Sequence, residues 1–385
     1  MKVVQLGCGI TGLVCAEHVA RNRNVTAMVL ADAKTEGASA LKERLGLDKV
    51  SVQKVDGSDP KAIKKLLKDS DVVINSLPWE FMDEVQNTAA RTGTNYVDFC
   101  LTIQALKDFD PIDKMCRDAG ITAITATGLE PGISNVLARH AANMLDEPEE
   151  LHVIDGDNGV IPGVDYFSTW SPIDWLEETT IPAAVFRNGK IEYVPPLHVR
   201  EIYDFPQPLG PLPVYKTVHD ETFLLPRHIK GIKNADFRIG IDDTFAAAAK
   251  MLRKLGMHSR KPIDVKGVMV QPLDVVAALF PRPTEIAGKI KGTGGTVVEV
   301  IGKKDGRKTK VRVWTFVSHE WAYNRCRSNG TGYLVGTGGA VPAEMLIDGE
   351  VKEKGLIVPE QLDDRSFISR LESKGLKVNK EITGL

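Results

Sequence analysis

Short apolar runs near the start of the chain alternate with segments whose apolar residues recur at helical spacing. Residues 3–6 form the first run, and residues 10–21 show the period of an amphipathic helix. Similar runs rich in branched residues lie at 25–30, 50–55, 72–77, 96–99 and 121–125. Continuous apolar runs of this kind are typical of strands buried on both faces of a parallel sheet. We therefore predict a doubly wound parallel sheet over roughly the first 125 residues.

The pattern changes after Pro131. One helix is predicted over residues 133–145, and long polar and Pro-rich connections follow. Residues 296–301 and 311–317 alternate like two strands, and Asp305 and Gly306 between them favour a hairpin turn. The predicted fold is α/β, with a Rossmann-type doubly wound sheet followed by a second domain of α+β type.

Composition excludes several classes of protein. The 385 residues suffice for two domains at about 100 to 200 residues each. Hydrophobic residues make up 43% and charged residues 26%, which is typical of a globular rather than a disordered chain. No apolar run approaches the roughly 18 residues of a membrane span. The net charge of -2 gives no field that attracts nucleic acid or anionic lipid. We expect a small-molecule partner, and neither nucleic acid nor membrane.

The five cysteines are scattered and include no C-x-x-C pair. This spacing argues against a disulfide framework and a structural zinc site. His319 and Glu320 lack the second histidine of a zinc-binding helix, so we expect no metal. The sequence MKVVQLGCGITG enters a strand at once, without the pattern of a signal peptide. We expect a cytoplasmic protein.

A glycine-rich loop joins the first strand to the first helix. The first glycine permits a sharp turn, the second lets the backbone approach a pyrophosphate, and the third lets helix and strand pack closely. Asp32 follows 20 residues after the last glycine, where a carboxylate accepts hydrogen bonds from both ribose hydroxyls and repels a 2′-phosphate. We predict NAD as the cofactor; Lys34 keeps NADP open. The predicted loop contacts are Gly7, Gly9, Ile10, Thr11 and Gly12.

The ends of the third and fourth strands supply further candidate cofactor contacts. Asp56 could reach the adenine, although a turn or helix-capping role is an equal alternative. Asn75, Ser76 and Leu77 end the fourth strand, where a doubly wound sheet has its ligand crevice. We predict that these three residues lie near the nicotinamide half of the cofactor.

Several uncommon strings in the middle of the chain resemble the saccharopine dehydrogenase family, in particular its lysine 6-dehydrogenase branch. The clearest are GLEPGISNVLA at 128–138, TWSPIDWLEE at 169–178 and FRNGKIEYVPPL at 186–197. The resemblance implies an NAD(P)-dependent oxidoreductase that oxidises a C–N bond of an amino acid. It also implies a discontinuous cofactor domain, residues 1–127 with 335–385, around a substrate-binding and dimerisation domain, residues 128–334. A homodimer is expected.

Candidate substrate residues follow the fifth and sixth strands. Asp98 ends the fifth strand, where the family's V-D motif places an acid, so it could hold or deprotonate the substrate nitrogen. A structural cap is the alternative for Asp98. Cys100, two residues on, could line the same crevice as a candidate catalytic residue, with a buried apolar role as the alternative. Glu130 in the LEPG turn and Asn135 at the next helix start are possible substrate contacts. For Asn135 a helix-start hydrogen bond is equally plausible.

The segment 215–222 concentrates polar side chains, and the resemblance implies that it meets the substrate. His219 is the first choice for proton transfer, with an exposed loop histidine as the alternative. Lys216 and Thr222 are candidate substrate contacts. Arg238 matches an arginine of the family that could bind the α-carboxylate, although pairing with a nearby acid is equally plausible. Saccharopine-forming relatives carry an arginine near His219 that is absent here, although Lys216 or Arg227 could replace it.

The missing arginine favours a smaller amine than saccharopine. The predicted function is therefore NAD-dependent oxidative deamination of the ε-amine of lysine. One alternative keeps the fold and changes the substrate, to saccharopine or a carboxyalkyl polyamine. The other is a protein that binds NAD as a sensor without turnover.

Overall fold

A computed structural model describes residues 1–101 and 109–385. No helix in these two ranges is long and apolar enough to cross a membrane. The strands are β1 (Lys2–Leu6), β2 (Ala27–Asp32), β3 (Val50–Lys54), β4 (Val72–Asn75), β5 (Asn95–Asp98), β6 (Thr122–Ile124), β7 (Glu147–Asp157), β8 (Ala183–Arg187), β9 (Lys190–Val194), β10 (Arg200–Phe205), β11 (Gly210–Lys216), β12 (Asn234–Gly240), β13 (Ile263–Val265), β14 (Val268–Val270), β15 (Thr293–Lys304), β16 (Arg307–Ser318), β17 (Gly355–Ile357) and β18 (Asn379–Gly384). The α-helices are α1 (Ile10–Arg21), α2 (Glu36–Leu45), α3 (Pro60–Leu67), α4 (Met82–Thr92), α5 (Phe109–Asp118), α6 (Ser134–Ala142), α7 (Pro172–Thr180), α8 (Glu221–His228), α9 (Asp243–Lys254), α10 (Pro272–Leu279), α11 (Pro283–Ile286), α12 (His319–Cys326), α13 (Gly330–Ile347) and α14 (Asp364–Ser373).

The chain divides into two compact units. The first contains Met1–Val136 and Tyr333–Leu376, and the second contains Leu137–Gly332 and Lys377–Leu385. The expected domain boundaries, at 127 and 335, lie near these crossings. The two divisions differ at the last nine residues, which the sequence analysis assigned to the cofactor domain. These residues belong to the second unit because β18 pairs antiparallel with β16.

The first unit contains a parallel sheet with the strand order β3-β2-β1-β4-β5-β6-β17. The predicted doubly wound fold is confirmed. The order runs outward from β1 to β3 on one side and from β4 to β17 on the other. A ligand crevice forms at such a switch point, beside the carboxyl ends of the central strands. The loops that follow β1 and β4 are therefore the parts of this unit best placed to hold a cofactor.

The second unit is built on a mixed sheet with the main order β10-β11-β12-β7-β15-β16-β18. The predicted hairpin is present, and its strands β15 and β16 are longer than the sequence analysis indicated. Asp305 and Gly306 have φ values of +50° and +73°, as a two-residue hairpin turn requires. The sheet carries the ends of β11 and β12 next to α8, where the predicted substrate residues lie.

Candidate functional site

The loop between β1 and α1 has the geometry of a phosphate-binding turn. Gly7 has a φ of +83°, which a side chain would strain. A Cβ at Gly12 would lie 2.2 Å from the carbonyl oxygen of Gly7, so only glycine allows this packing. A Cβ at Gly9 would meet no protein atom within 4 Å. Gly9 is the N-cap of α1 and makes no side-chain cap, so the helix end at Ile10 and Thr11 directs its partial positive charge to this open space.

Ser76 supports the glycine loop from the end of β4. Its hydroxyl donates to the carbonyl oxygens of Leu6 at 3.0 Å and Gly7 at 2.8 Å. The same hydroxyl accepts a 2.8 Å hydrogen bond from Nε2 of Gln5, a fully buried residue of β1. A Cβ at Gly12 would lie only 2.4 Å from Oγ of Ser76. The side chain of Ser76 fills the space that the two glycines leave, and its predicted contact with the cofactor stays a prediction.

Asp32 ends β2 beside this loop and is partly exposed. Its carboxylate accepts hydrogen bonds from the backbone N–H groups of Cys8 at 2.6 Å and Lys34 at 2.8 Å. The carboxylate is thus held at the mouth of the glycine loop, where a ribose is expected. Burial, together with the negative charge of Asp32, raises the pKa of the Cys8 thiol to about 12, so this thiol stays protonated.

The turn after β3 is exposed and packs against the end of β4. Oδ1 of Asp56 accepts hydrogen bonds from the hydroxyl of Ser58 at 2.7 Å and from its N–H at 2.9 Å, and these bonds lower the pKa of Asp56. This is the turn role that the sequence analysis left open. A Cβ at Gly57 would lie 2.9 Å from the side chain of Leu77, so the turn contacts the segment predicted to lie near the cofactor.

Asn75 is fully buried and organises the residues around it. Its Nδ2 donates to the hydroxyl of Tyr96 at 3.1 Å, and its Oδ1 accepts from the N–H of Leu77 at 3.2 Å. Burial, and then the nearby charge of Asp98, raise the pKa of Tyr96 well above its ordinary value. The phenol therefore stays protonated, and the amide of Asn75 is engaged within the protein.

Asp98 lies at the end of β5 and is only 3% exposed. Its Oδ1 accepts hydrogen bonds from the hydroxyl of Thr125 at 2.7 Å and from the N–H of Ala126 at 3.0 Å. This is the geometry of the structural alternative, and the proton-transfer role of Asp98 stays a prediction. Cys100 is partly exposed, and its Sγ lies 3.2 Å from Sδ of Met82.

The turn before α6 depends on Asn135, which is fully buried. Its Oδ1 accepts from the N–H of Gly132 at 2.9 Å, and its Nδ2 donates to Oε2 of Glu360 at 2.9 Å. The helix-start role is therefore present, and the substrate contact stays a prediction. Glu130 lies two residues before Gly132 and is partly exposed.

Two predicted substrate cations of the second unit are paired with acids of their own sheet. Nζ of Lys216 lies 2.6 Å from Asp236, and Arg238 contacts Asp236 at 3.2 Å and Glu201 at 2.8 Å. Nδ1 of His152 lies 2.8 Å from Asp236. Burial alone would raise the pKa of Asp236, but these three neighbours lower it well below its ordinary value. Lys216 and Arg238 thus already neutralise acids.

His219 is held at the start of α8 by a carboxylate and an aromatic ring. Its Nδ1 forms a short ion pair with Oε2 of Glu221, whose side chain is 1% exposed. The imidazole stacks on Phe237 with ring centroids 3.9 Å apart and planes 18° apart. The side chain of His219 is 10% exposed. The exposed loop histidine that the sequence left open is therefore absent.

Further acids surround this pair. Burial raises the pKa of Glu178 on α7 to about 7, and the charges of Asp174, Asp220 and Glu221 act in the same direction. His219 acts in the opposite direction. We call His219, Glu221, Glu178, Asp174 and Asp220 the His219 cluster. A carboxyl group that titrates near neutral pH beside a buried histidine is typical of sites that move protons.

Thr222 follows Glu221 in α8 and is buried. Its hydroxyl, and that of buried Thr217, have no hydrogen-bond partner among the residues that the structure describes. A buried hydroxyl without a partner carries a free-energy cost, because it has lost its bonds to water. Thr222 lies in the segment predicted to meet the substrate, and that contact stays a prediction.

Sequence reasoning missed four residues that shape these sites. Gln5 occupies an apolar strand run, and its partner Ser76 is distant in sequence. Glu178 ends the string TWSPIDWLEE, which gave it a detectable signal. Glu221 was one of several charges in a polar segment, and no pattern of residue types marks Phe237 as the stacking partner of His219.

Comparisons with known proteins identify the family of the chain. The model of the saccharopine dehydrogenase NADP binding domain matches residues 3–124, and that of the saccharopine dehydrogenase C-terminal domain matches residues 128–376. The carboxynorspermidine synthase of Vibrio cholerae is 29% identical, over 98% of this chain and 96% of that protein. The carboxyaminopropylagmatine dehydrogenase of Synechocystis sp. is 23% identical, over 100% and 98%.

A solved structure supports the fold. Apo saccharopine dehydrogenase (L-Glu forming) from Saccharomyces cerevisiae superposes with a TM-score of 0.75 at 20% identity and covers 99% of both chains. The open space at Gly9 and the carboxylate of Asp32 fit a nicotinamide dinucleotide. The expected oxidoreductase of carbon–nitrogen bonds is confirmed. The chain belongs to the saccharopine dehydrogenase family, and it is an NAD(P)-dependent dehydrogenase that acts on CH–NH or CH–NH2 groups.

Proposed function

We propose that the protein is a carboxyalkyl-polyamine dehydrogenase, which forms or oxidises the secondary amine between a polyamine and a short carboxylate-bearing chain. The carrying observation is the His219 cluster, in which the carboxyl groups of Glu221, Glu178 and Asp220 act on one imidazole and that of Asp174 acts on Glu178. Such a group of acidic side chains is suited to a substrate with several ammonium groups. The relatives named for carboxynorspermidine and carboxyaminopropylagmatine match nearly the full chain, and this match supports the same choice.

The lysine 6-dehydrogenase activity, which the sequence put first, is the weaker candidate. A single ε-ammonium would use only part of the His219 cluster. Saccharopine is also disfavoured, because its additional carboxylates need cationic partners. Lys216 and Arg238, the cations predicted for that purpose, are paired with Asp236 and Glu201. The carboxyalkyl-polyamine alternative therefore has the better support.

The chemistry requires a proton donor and an anchor for the amine. In the direction of synthesis, a primary amine adds to a carbonyl carbon, and the resulting carbinolamine loses water to give an iminium. The reduced nicotinamide supplies the hydride that converts this iminium into the secondary amine. His219 would give a proton to the leaving oxygen, and the carboxylates of the His219 cluster would bind the remaining ammonium groups.

A substrate panel tests the proposal. The purified protein is mixed with a diamine or triamine, an amino acid carrying an aldehyde, and NADH or NADPH, and loss of the reduced nicotinamide is followed by absorbance. We expect oxidation of the coenzyme and a secondary amine detected by mass spectrometry. Lysine and saccharopine, each with NAD+ and NADP+, are the controls. Turnover of either control without turnover of the carboxyalkyl polyamine would reject the proposal. Tight coenzyme binding without turnover of any substrate would favour the alternative of a protein that binds NAD as a sensor.

The coenzyme preference is part of the proposal. We propose NAD rather than NADP, because the carboxylate of Asp32 lies at the mouth of the glycine loop. A homodimer and a cytoplasmic location also stay predictions of the sequence.

Asp32→Asn should shift the coenzyme preference toward NADP(H) and lower the melting temperature only slightly, because the N–H of Lys34 then meets the amide nitrogen instead of an oxygen. The amide oxygen still accepts the hydrogen bond from Cys8, whereas the charge that repels a 2′-phosphate is removed. We expect the ratio of dissociation constants for NADPH and NADH to fall by roughly tenfold, which corresponds to about 1.4 kcal/mol.

Asp32→Ala is the matched variant, since it removes both the charge and the acceptor for Cys8. It should weaken NADH binding and lower the melting temperature. Fluorescence titrations of both coenzymes provide the measurement. An unchanged ratio in Asp32→Asn would show that Asp32 does not contact the ribose.

A further inference from the structure

The ion pair between His219 and Glu221 determines which ring nitrogen is available for chemistry. We propose that Glu221 is a positioning residue: it holds Nδ1–H of His219, and thereby makes Nε2 the atom that exchanges a proton with the substrate. The identity of the substrate that exchanges a proton with Nε2 rests on the proposed function. The orientation of the His219 imidazole does not.

The ring is fixed by two independent contacts. Nδ1 meets Oε2 of Glu221, and the face of the ring stacks on Phe237 of β12 at 3.9 Å. Rotation about the Cβ–Cγ bond would break the first contact and disturb the second. Nε2 has no hydrogen-bond partner among the residues that the structure describes. A tenth of the side chain is still exposed, and the proposal requires that the substrate reach Nε2 through this part.

The protonation sites follow from the acceptor. An ionised carboxylate has no hydrogen to donate, so Nδ1 carries a proton in both the neutral and the charged imidazole. Nε2 is therefore the atom that gains or loses the second proton. A neutral histidine with the other tautomer would direct the lone pair of Nδ1 at the buried carboxylate of Glu221, which is costly.

The charges around the ring favour its protonated form. Burial alone would lower the pKa of His219, but Glu221, followed by Glu178 and Asp220, raises it to about 10. The groups that face the pair are Asp220 on the segment before α8, and Glu178 with Asp174 on α7. Phe237 on β12 is uncharged. At neutral pH the imidazole is therefore a cation with a proton on Nε2.

The proton balance gives the two directions of reaction opposite pH dependences. In synthesis, Nε2–H gives its proton to the carbinolamine oxygen, the C–O bond breaks as water leaves, and the nitrogen lone pair forms C=N. His219 is then neutral and takes up a proton from solvent. In oxidation, neutral His219 must accept the proton of the attacking water. Oxidation should therefore speed up as pH rises toward about 10, and synthesis should slow over the same range.

The decisive experiment measures His219 itself, without substrate or coenzyme. The eight histidines are labelled with 13C at Cε1 and titrated by NMR, and His219→Gln identifies the signal. We expect a midpoint well above the ordinary histidine value in the native protein. In Glu221→Gln the midpoint should fall by roughly one to three pH units, the usual effect of losing one adjacent charge. His152, whose ring contacts Asp236 instead, is the control and should keep its midpoint.

A midpoint that is the same in the native protein and in Glu221→Gln overturns the inference. If Glu221→Gln does not fold, Glu221→Asp replaces it; this variant keeps the negative charge and shortens the side chain that reaches Nδ1. The midpoint of His219 in the native protein is then sufficient for the decision, since a value at or below about 6.5 overturns the inference. The substrate panel is a separate measurement. A raised midpoint with no polyamine turnover would therefore reject the proposed substrate and retain the positioning role of Glu221.

Discussion

Replacing Gly9 by valine should abolish coenzyme binding while the protein keeps its melting temperature. Gly9 has φ of -75° and ψ of -169°, an extended conformation that valine adopts readily. A Cβ there would meet no protein atom within 4 Å, so the fold loses nothing. The added methyl groups would occupy the space that a pyrophosphate needs above the start of α1. We expect the dissociation constants of NADH and NADPH to rise at least about 100-fold, or roughly 3 kcal/mol.

Gly12→Ala is the contrasting variant in the same loop. Its Cβ would lie 2.2 Å from the carbonyl oxygen of Gly7 and 2.4 Å from Oγ of Ser76, so the loop itself must move. We expect both coenzyme binding and the melting temperature to fall. Fluorescence titration and thermal unfolding of both variants separate the two effects. Coenzyme binding by Gly9→Val at the native affinity would show that the cofactor does not approach this loop.

Replacing His219 by glutamine should lower kcat by about 100-fold to 10,000-fold, the usual contribution of a general acid or base. The KM for the amine should change much less, because the carboxylates of the His219 cluster remain. The variant also removes the cationic imidazole that contacts the buried carboxylate of Glu221, which is expected to destabilise the fold.

The double variant His219→Gln with Glu221→Gln distinguishes chemistry from stability. It also removes the buried negative charge of Glu221, so the melting temperature should recover while kcat stays low. Steady-state kinetics and thermal unfolding on both variants provide the measurement, with NADH affinity as the control. A recovery of kcat together with stability would assign His219 a structural role only.

The roles of the glycines could be predicted because they follow from backbone geometry. The turn at Gly7, the open position at Gly9 and the close packing at Gly12 each depend on the absence of a Cβ. The parallel sheet of the first unit was likewise predictable, since buried parallel strands have a recognisable apolar pattern. These features are local or periodic, and residue types define them.

Side-chain direction could not be read from the sequence. Ser76 was predicted to lie near the cofactor, and the sequence did not indicate that its hydroxyl also bonds to Gly7 and Gln5. For Arg238 the sequence left a substrate carboxylate and a nearby acid open, and it did not identify the acids, Asp236 and Glu201, that Arg238 contacts. Each of these contacts joins separate strands, so its formation depends on sheet register.

The substrate branch was also beyond the sequence analysis. The strings at 128–138, 169–178 and 186–197 identified the family correctly, while full-length relatives support the carboxyalkyl-polyamine alternative over lysine. Strings that define a fold are shared by relatives with different substrates. The acids to which we assign the ammonium groups of the substrate, such as Glu178 and Glu221, form a group only after α7, α8 and β12 have folded together.

The position of β17 has a consequence for how the protein forms during synthesis. This strand completes the first sheet beside β6, and Thr122 bonds to Glu353, 231 residues further along the chain. Strand β18 likewise joins the second sheet from beyond residue 376. Neither sheet can close until most of the chain has left the ribosome, and contacts of such long sequence separation fold slowly. The nascent polypeptide will therefore expose unpaired strand edges for much of its translation, which makes it a natural client for molecular chaperones.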